Sequence, residues 1–442
     1  MSKFNVSCPS GFLEFSPRHE RVRQQWIKVI SESFESFGFM PISTPLVERE
    51  ENLLGKGGNP KEMYVLKRLL DDDGDDSHSG NALRFDHTVP LALYVARHFS
   101  DLTFPFKRYA IGPNFRGERA QKGRYRQFDQ CDIDVIGNES LDFANDGLVA
   151  AVVINIFQNL NIGDFVVRMN NRKILQGFFA GLGIDSHHIK PVIDVIDDLE
   201  KIGAGKAKEQ LEQLSVSHEQ IAAIFLFLAI TGTPEVMLEQ LSALSDNEVF
   251  QQGVDELTQV MNALAAMGVQ QDLYKIDLAI ARGLDYYTGT VYETNLLEYP
   301  GLGSICSGGR YEDLAAVFTG KNLPGVGISI GLSRLLSQVL DAGIVKPDRS
   351  SPSEILVIPA DETPEVKAKA LEVASKLRKD GKSVEIYLEK KKLSKKFDYA
   401  QKLGIPECVI IGENELKSGV VTVKNMESGE QREVSWGAYL VG

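Results

Sequence analysis

The 442-residue sequence contains little cysteine and no long apolar run. Its four cysteines, Cys8, Cys131, Cys306 and Cys408, are widely spaced and form neither a metal-binding pair nor a disulfide framework, which indicates a reducing compartment. No apolar run approaches the roughly 20 residues that a membrane helix needs. The first residues, MSKFNVSCPSG, contain no signal-peptide core. We therefore expect a cytoplasmic protein with no membrane partner.

The sequence also lacks the common glycine-rich phosphate-binding motifs. It contains no GxxxxGK[ST], and no GxGxxG that follows a strand and opens a helix. If this protein binds a nucleotide, side-chain cations on a sheet must bind the phosphates.

Basic residues are outnumbered by acidic ones, 48 to 61, so the formal net charge is −13. Residues 351–442 carry 15 basic and 15 acidic residues, so the excess acid lies in residues 1–350. An acidic surface argues against sequence-independent binding to duplex nucleic acid, but it leaves room for a nucleic-acid partner at a local basic patch.

One window reverses the acidic trend. In FRGERAQKGRYRQFDQCDIDVIG (115–137), five basic residues precede an alternating polar and apolar run, which predicts a strand–loop–strand unit. Guanidinium groups match phosphate oxygens bidentately, so arginines in such a loop can bind a polyphosphate. Phe128 could stack on a purine and Glu118 could accept from its amine. The alternative interpretation is a solvated, charged hairpin.

Two further windows contain arginine next to aromatic residues or glycines. In ARGLDYYTGTVYE (281–293), Arg282 precedes Tyr286 and Tyr287, which face opposite sides of a predicted strand; a buried aromatic strand is the alternative. In CSGGRYEDL and GVGISIGLSRL, the glycines permit close approach of a ligand to the backbone, and Arg334 falls one turn into a helix. A structural glycine turn explains these last segments equally well.

Taken together, the windows resemble the motifs of the class II histidyl-tRNA synthetases, both in their order along the chain and in their residues. The segment 115–137 is similar to motif 2 of that family, and RGLDYYTGTVYE to its histidine-specific signature. SGGRYEDL and GVGISIGLSRL resemble the second signature and motif 3. GFMPISTPLVE resembles motif 1, with Pro45 at the dimer-interface position, and LRFDHTVPLALYVA resembles the amino-acid-binding loop.

The resemblance implies an α+β fold, in which an antiparallel six-stranded catalytic sheet is flanked by helices. It implies catalytic segments at 1–170 and 269–345, a helical insertion at 171–268, and a C-terminal α/β anticodon-binding domain at 351–442. The acidic loop 69–81 has no counterpart that we can assign.

The implied activity is that of a histidine–tRNA ligase, which joins L-histidine to tRNA(His) with ATP. By position in the motifs, Arg116 and Arg282 are the expected catalytic residues, both of them at the α-phosphate. The resemblance implies ATP contacts from Arg116, Glu118, Arg124, Phe128 and Arg334. Mg²⁺ is expected to be held mainly by the ATP phosphates, with no metal site formed by the protein.

The resemblance also implies a set of side chains for the histidine substrate. The expected histidine-binding residues are Asp86, Thr88, Arg116, Gln130, Asp134, Arg282, Tyr286 and Tyr287. Asp86, Thr88 and Gln130 match the positions for the ammonium group, and Asp134 and Tyr287 match those for the imidazole. Cys131 and Asp132 are assigned no role, and His87 could be a packing residue.

Further partners follow from the tail and from motif 1. Five lysines in EKKKLSKKF, Lys390, Lys391, Lys392, Lys395 and Lys396, are expected either to contact the tRNA anticodon stem or to form a solvated helix end. Motif 1 implies a homodimer. The main alternative is a non-catalytic, histidine-sensing paralogue, such as the regulatory subunit of ATP phosphoribosyltransferase. A sensor of uncharged tRNA would be expected beside a kinase domain, which the sequence lacks.

Overall fold

The computed structural model describes residues 5–55, 60–67, 80–121, 123–280, 287–312 and 316–439. The described residues form two compact units. The first contains residues 5–13 and residues between 27 and 345, and the second contains residues 14–26 and 346–439. No helix among these residues is both long enough and apolar enough to cross a membrane.

The strands of the first unit are β1 (Met40–Pro41), β2 (Val47–Arg49), β3 (Asn81–Leu83), β4 (Phe106–Phe115), β5 (Gln127–Ile136), β6 (Phe165–Asn171), β7 (Tyr274–Ile276), β8 (Tyr287–Leu296), β9 (Cys306–Tyr311) and β10 (Gly325–Ile330). The helices up to residue 345 are α1 (Pro17–Ser36), α2 (Glu50–Leu54), α3 (Thr88–His98), α4 (Ala144–Leu160), α5 (Arg172–Gly181), α6 (Ser186–Asp197), α7 (Leu199–Gln213), α8 (His218–Leu228), α9 (Pro234–Ser242), α10 (Glu248–Ala266), α11 (Ala316–Thr319) and α12 (Leu332–Asp341).

The first unit is built on an eight-stranded sheet with the order β1-β4-β5-β10-β9-β8-β6-β7. The six inner strands pair with one another in antiparallel orientation, which confirms the sheet implied by the resemblance. The edge strands β1 and β7 each pair in parallel with one neighbour. They are two and three residues long, too short for an alternating pattern to reveal them in the sequence.

Glycines bring the central strands and their side chains close together. A Cβ at Gly308 of β9 would lie 2.1 Å from the Gly327 carbonyl oxygen of β10. A Cβ at Gly327 would lie 2.2 Å from an Asp134 carboxylate oxygen. Because atoms cannot approach this closely without a shift, Gly308 lets β9 lie close to the backbone of β10, and Gly327 makes room for the Asp134 side chain.

Residues 172–266 form six helices, α5 to α10, as the sequence pattern predicts. Helix α10 crosses α5 at two glycines. A Cβ at Gly177 would lie 2.4 Å from the Phe250 nitrogen, and a Cβ at Gly253 would lie 2.7 Å from the Ile174 nitrogen. Helix α10 also approaches α4, because a Cβ at Gly147 would lie 2.8 Å from the Ala263 methyl group. Helix α10, the last of this region, therefore packs on α5 of the same region and on α4, which precedes it.

The second unit contains a mixed five-stranded sheet with the order β12-β11-β13-β14-β15. Its strands are β11 (Ile355–Pro359), β12 (Val384–Ile386), β13 (Glu407–Ile411), β14 (Val420–Asn425) and β15 (Gln431–Ser435). Its helices after residue 346 are α13 (Pro364–Lys379), α14 (Leu393–Leu403), α15 (Glu413–Ser418) and α16 (Trp436–Tyr439). Val357 packs in one apolar cluster with α13, while Leu356 packs in another with α14, so alternate residues of β11 serve opposite faces.

Candidate active site

One cavity of about 980 Å³ is lined by residues of β5, β8, β9 and β10. Ten of the twelve predicted site residues line it: Asp86, Thr88, Arg116, Glu118, Arg124, Phe128, Gln130, Asp134, Tyr287 and Arg334. The other two, Arg282 and Tyr286, lie outside the described residues. Residues separated by almost 250 positions therefore share one cavity.

Arg116 lies against an aromatic ring at one end of the predicted nucleotide site. Its Nε donates to the carbonyl oxygen of Phe85 at 3.1 Å, and its Cζ lies 5.0 Å from the centre of the Phe128 ring. This cation–π contact holds the guanidinium group beside the ring that was predicted to stack on adenine.

Two more arginines face the same part of the cavity. Arg124 Nη1 lies 3.4 Å from a Glu118 carboxylate oxygen, and Arg334 Nη2 donates to the Leu302 carbonyl oxygen at 3.2 Å. Burial, and secondarily the neighbouring charge of Arg124, lowers the pKa of Arg334. A bound polyanion would relieve the repulsion between these two cations.

Arg126, another basic residue of this window, shapes the loop. Its Nε donates to the Glu118 carbonyl oxygen at 3.1 Å, and its backbone N–H donates to the Gly11 carbonyl oxygen at 2.7 Å. Strand β5 is thereby joined to the segment before α1. At least one of the positive charges in this window therefore has a structural role.

Asp134 lies at the buried end of the cavity. Tyr311 donates a hydrogen bond of 2.9 Å to Asp134 Oδ1, and Arg108 Nη2 forms an ion pair with Asp134 Oδ2. Burial raises the pKa of Asp134 to about 7, although Arg108 acts in the opposite direction. The carboxylate can accept a hydrogen bond from a ring N–H, and it can also take up a proton near neutral pH.

Asp86 lies at the start of α3. Its Oδ1 accepts a hydrogen bond of 3.1 Å from the Val89 backbone N–H. Burial raises the pKa of Asp86, while that hydrogen bond and the positive charge of Arg116 act to lower it. A buried carboxylate without full compensation favours a cationic ligand such as an ammonium group.

Asp132 lines the same cavity, although it was assigned no role from the sequence. Its Oδ2 lies 3.1 Å from His87 Nδ1, and its Oδ1 accepts a hydrogen bond of 2.5 Å from Ser329. Burial acts to raise the pKa of Asp132, but His87, Arg108 and Ser329 together lower it. The signal was present in the sequence, because Gln130, Asp132 and Asp134 alternate along one strand and so share a face.

The helical region supplies one wall of the cavity, which the sequence did not predict. Ile196 and Asp197 of α6 and Glu200 and Lys201 of α7 line it. Arg168 of β6 donates to Glu200 at 2.7 Å and to Asp277 at 2.8 Å. The pair with Glu200 joins α7 to the eight-stranded sheet.

The predicted lysine cluster needs one correction. Lys396 is only 1% exposed, and its Nζ donates to the Pro359 carbonyl oxygen at 2.7 Å. It therefore stabilises the second unit from inside and does not face a nucleic acid. Lys390, Lys391, Lys392 and Lys395 are exposed.

Comparisons with known proteins match both parts of the chain to described families. A family model described as histidyl-tRNA synthetase matches residues 11–335, and one described as an anticodon binding domain matches residues 354–440. A histidine–tRNA ligase from Nostoc sp. is 47% identical, with 98% of this chain and 96% of the relative covered.

Two solved structures have the same fold. The histidyl-tRNA synthetase of Nostoc sp. superposes with a TM-score of 0.92 at 45% identity, covering 99% of each chain. An ATP phosphoribosyltransferase regulatory subunit/histidyl-tRNA synthetase from Bacillus halodurans superposes with a TM-score of 0.73 at 21% identity, covering 90% of this chain and 97% of the other. That likeness concerns the fold alone, so the closer sequence relationship decides the assignment. The chain belongs to the histidyl-tRNA synthetase family.

Proposed function

We propose that this chain is a histidine–tRNA ligase. In the first step, the carboxylate of L-histidine attacks the α-phosphate of ATP, forming histidyl-adenylate and releasing pyrophosphate. In the second step, a hydroxyl group of the 3′-terminal adenosine of tRNA(His) attacks the activated carbonyl group, and AMP leaves.

The observation that carries this proposal is the shared cavity. Arg116 and Arg334 line it together with three buried carboxylates, Asp86, Asp132 and Asp134. Guanidinium groups favour a polyphosphate, and the carboxylates favour a cationic amino acid. A site with both halves suits a reaction between ATP and histidine.

The first step accumulates negative charge around phosphorus, so positioned cations are the groups that can accelerate it. We assign Arg116 to the α-phosphate and to the histidine carboxylate. Arg282, on the strength of the motif, is assigned to the α-phosphate from the other side. Neither role requires an acid or base from the protein, since the attacking carboxylate is already ionised.

The remaining ATP contacts are assigned by position in the cavity. Arg334 would bind the γ-phosphate and Arg124 the terminal phosphates, while Phe128 would stack on adenine and Glu118 would accept from its amine. Among the described residues, no group of three or more His, Cys, Asp or Glu side chains is placed to hold a metal ion. Mg²⁺ would enter with the ATP phosphates, where it would screen their charge.

Histidine would be recognised at both ends. Asp86, Thr88 and Gln130 are assigned to the ammonium group, and Asp134, Tyr287 and Tyr286 to the imidazole. An apolar amino acid would leave the buried Asp134 without its ligand partner. Such a mismatch can discriminate by roughly 10⁴–10⁵.

The other partners are proposed with the same activity. The second unit, with its exposed lysines, would bind the tRNA anticodon region, and the segment around Pro45 would form a homodimer. We place the protein in the cytoplasm. We divide it into catalytic segments 1–170 and 269–345, a helical insertion 171–268, and an anticodon-binding domain 351–442.

Pyrophosphate exchange with each of the twenty amino acids tests the proposal. Histidine alone should support exchange of labelled pyrophosphate into ATP, and the same protein should then charge tRNA(His). If no amino acid supports exchange while histidine still binds in calorimetry, the histidine-sensing alternative is correct.

A further inference from the structure

A chain of hydrogen bonds connects the predicted ammonium site to Asp132, which lies beside the buried His87. Asn114 Nδ2 donates to Gln130 Oε1 at 2.7 Å, and Gln130 Nε2 donates to Ser329 Oγ at 2.6 Å. Ser329 Oγ donates to Asp132 Oδ1 at 2.5 Å. Asp132 Oδ2 lies 3.1 Å from His87 Nδ1. The chain runs from β4 through β5 and β10 to the residue before α3.

The ends of this chain are shielded from solvent. Asn114 is fully buried, His87 is 2% exposed and Asp132 is 5% exposed. Hydrogen bonds in such surroundings are stronger than those in water, and their loss leaves buried polar groups unpaired. The arrangement is therefore held in one geometry.

The chemistry of Asp132 determines which group donates and which accepts in each hydrogen bond of the chain. An ionised carboxylate can only accept hydrogen bonds, so the Ser329 hydroxyl must donate to Asp132. Its oxygen then accepts from the Gln130 amide nitrogen. Because the Gln130 NH₂ group is committed to Ser329, its carbonyl oxygen takes the other position, where a second lone pair can accept from a ligand.

We infer that Ser329 and Asp132, with His87 as the partner of Asp132, are positioning residues that fix the Gln130 amide with its oxygen toward the substrate ammonium group. This inference rests on the proposed function, because it assigns Gln130 to that group. None of the three residues needs to touch histidine. If the amide were turned over, it would present N–H donors to a cation and repel it.

The most direct variant is Ser329→Ala, which removes the hydroxyl group and adds no bulk. Hydrogen bonds to charged groups are worth about 1.5–3 kcal/mol, or roughly 10- to 100-fold in affinity. Losing only the orientation of Gln130 should raise the KM for histidine in pyrophosphate exchange about tenfold, with the KM for ATP changed by less than about twofold. Ser329→Thr, which keeps the hydroxyl group, should restore most of the lost affinity.

Two histidine analogues separate positioning from general damage. Histidinol keeps the ammonium group and lacks the carboxylate, whereas imidazolepropionate keeps the ring and the carboxylate and lacks the ammonium group. As competitive inhibitors, histidinol should bind about tenfold more weakly to Ser329→Ala, and imidazolepropionate should bind as it does to the unaltered protein. Asp132→Asn should show the same difference between the two analogues.

Ser333→Ala is the matched control, because Ser333 is also a serine whose hydroxyl group forms a hydrogen bond with β5. Its hydroxyl group accepts from the Asp129 backbone N–H at 2.8 Å, and Asp129 is outside the cavity lining. This variant should leave both inhibition constants unchanged.

The outcomes distinguish this inference from the proposed function. If Ser329→Ala weakens both analogues equally, or neither, the positioning role is wrong, even though the unaltered protein activates histidine. If the unaltered protein activates no amino acid, it is the proposed function that fails. A loss of the folded circular dichroism signal in Asp132→Asn would leave Ser329→Ala and Ser329→Thr as the deciding pair.

Discussion

Asp134 combines two properties that seldom occur together in one carboxylate. It forms an ion pair with the fully buried Arg108 and a hydrogen bond with the fully buried Tyr311. Yet its pKa is raised to about 7, because the loss of solvent around the carboxylate outweighs these partners. The carboxyl group that we assign to the imidazole ring therefore has a pKa close to physiological pH.

This titration predicts a pH dependence for ligand binding. Above a pH of about 7, Asp134 is ionised and can accept a hydrogen bond from a ring N–H; below it, the carboxyl group takes up a proton and loses part of that capacity. We expect the affinity for a triazole analogue of histidine, whose ring stays neutral, to fall as the pH is lowered through 7. The fall should not exceed about tenfold per pH unit.

Isothermal titration calorimetry between pH values of about 5.5 and 8.5 measures this dependence, and Asp134→Asn is the control. The variant should bind more weakly at high pH and should show little change in affinity across the range. Asp86 also lies in the cavity with a raised pKa. A slope that persists in Asp134→Asn would assign the titration to Asp86 instead.

At the scale of single residues, the sequence predicts the site residues that belong to recognisable motifs. Arg116 and Arg334 are examples, because both were predicted from motifs and both line the cavity. The alternation along β5 places Asp132 on the same face as Gln130 and Asp134, but its contacts with His87 and Ser329 join residues that are distant in sequence and could not be predicted. Lys396 was misplaced because a run of lysines does not reveal which of them faces inward.

Helices and strands in the catalytic unit are joined by buried charges, and the strongest case is Arg310 of β9 with Asp146 of α4. Arg310 Nε lies 3.1 Å from both carboxylate oxygens, and its Nη2 donates to Asp146 Oδ2 at 2.8 Å and to the Leu141 carbonyl oxygen at 2.9 Å. The side chains are 3% and 0% exposed. Arg310 precedes Tyr311, the residue that holds Asp134.

Removing the carboxylate should therefore destabilise the catalytic unit and disturb its site. Asp146→Ala leaves a buried guanidinium group without its counter-charge, which costs about 3–5 kcal/mol. Urea unfolding followed by far-UV circular dichroism measures the loss. Asp142→Ala is the control, because Asp142 is exposed and accepts one backbone hydrogen bond, from Ala144. It should cost no more than about 2 kcal/mol.

An equal loss of stability in the two variants would contradict a special role for the buried Arg310–Asp146 pair.

The sequence predicted β9 and its glycines, but not the Arg310–Asp146 pair, because the residues of SGGRYEDL do not reveal which helix faces its arginine. The segments themselves were predictable, since strand alternation and helix periodicity are local properties. Their partners depend on the fold.

At the scale of the whole molecule, the C-terminal part of the chain differs from the rest in charge and in construction. The acidic excess belongs to residues 1–350, whereas residues 351–442 are balanced and contain an exposed lysine group. The sequence predicted the α+β class, and the comparisons confirm it. It could not predict the wall that α6 and α7 form at the cavity, because a helical insertion has no motif that indicates what it contacts.

Exposed apolar side chains gather in the segment that resembles motif 1 and the residues after it. They are Met40, Leu46, Val47, Leu54 and Val65, which are between 38% and 49% exposed in the single chain. Strand β1 pairs with β4 at the end of the strand order. An apolar surface next to a sheet edge is a site where a second copy of the chain can bind.

We therefore expect the protein to sediment at twice the chain mass of 48.9 kDa. Leu46→Glu places a charge in the proposed interface and should yield a monomer, because an unpaired charge buried between two chains costs several kcal/mol. Leu226→Glu makes the same change on α8, where Leu226 is 73% exposed, and this variant should remain a dimer.

A dimeric Leu46→Glu variant would place the interface elsewhere, and a monomeric unaltered protein at micromolar concentration would contradict the dimer. Because Leu46 follows Pro45 directly, loss of the dimer together with loss of pyrophosphate exchange would show that the interface supports the active site.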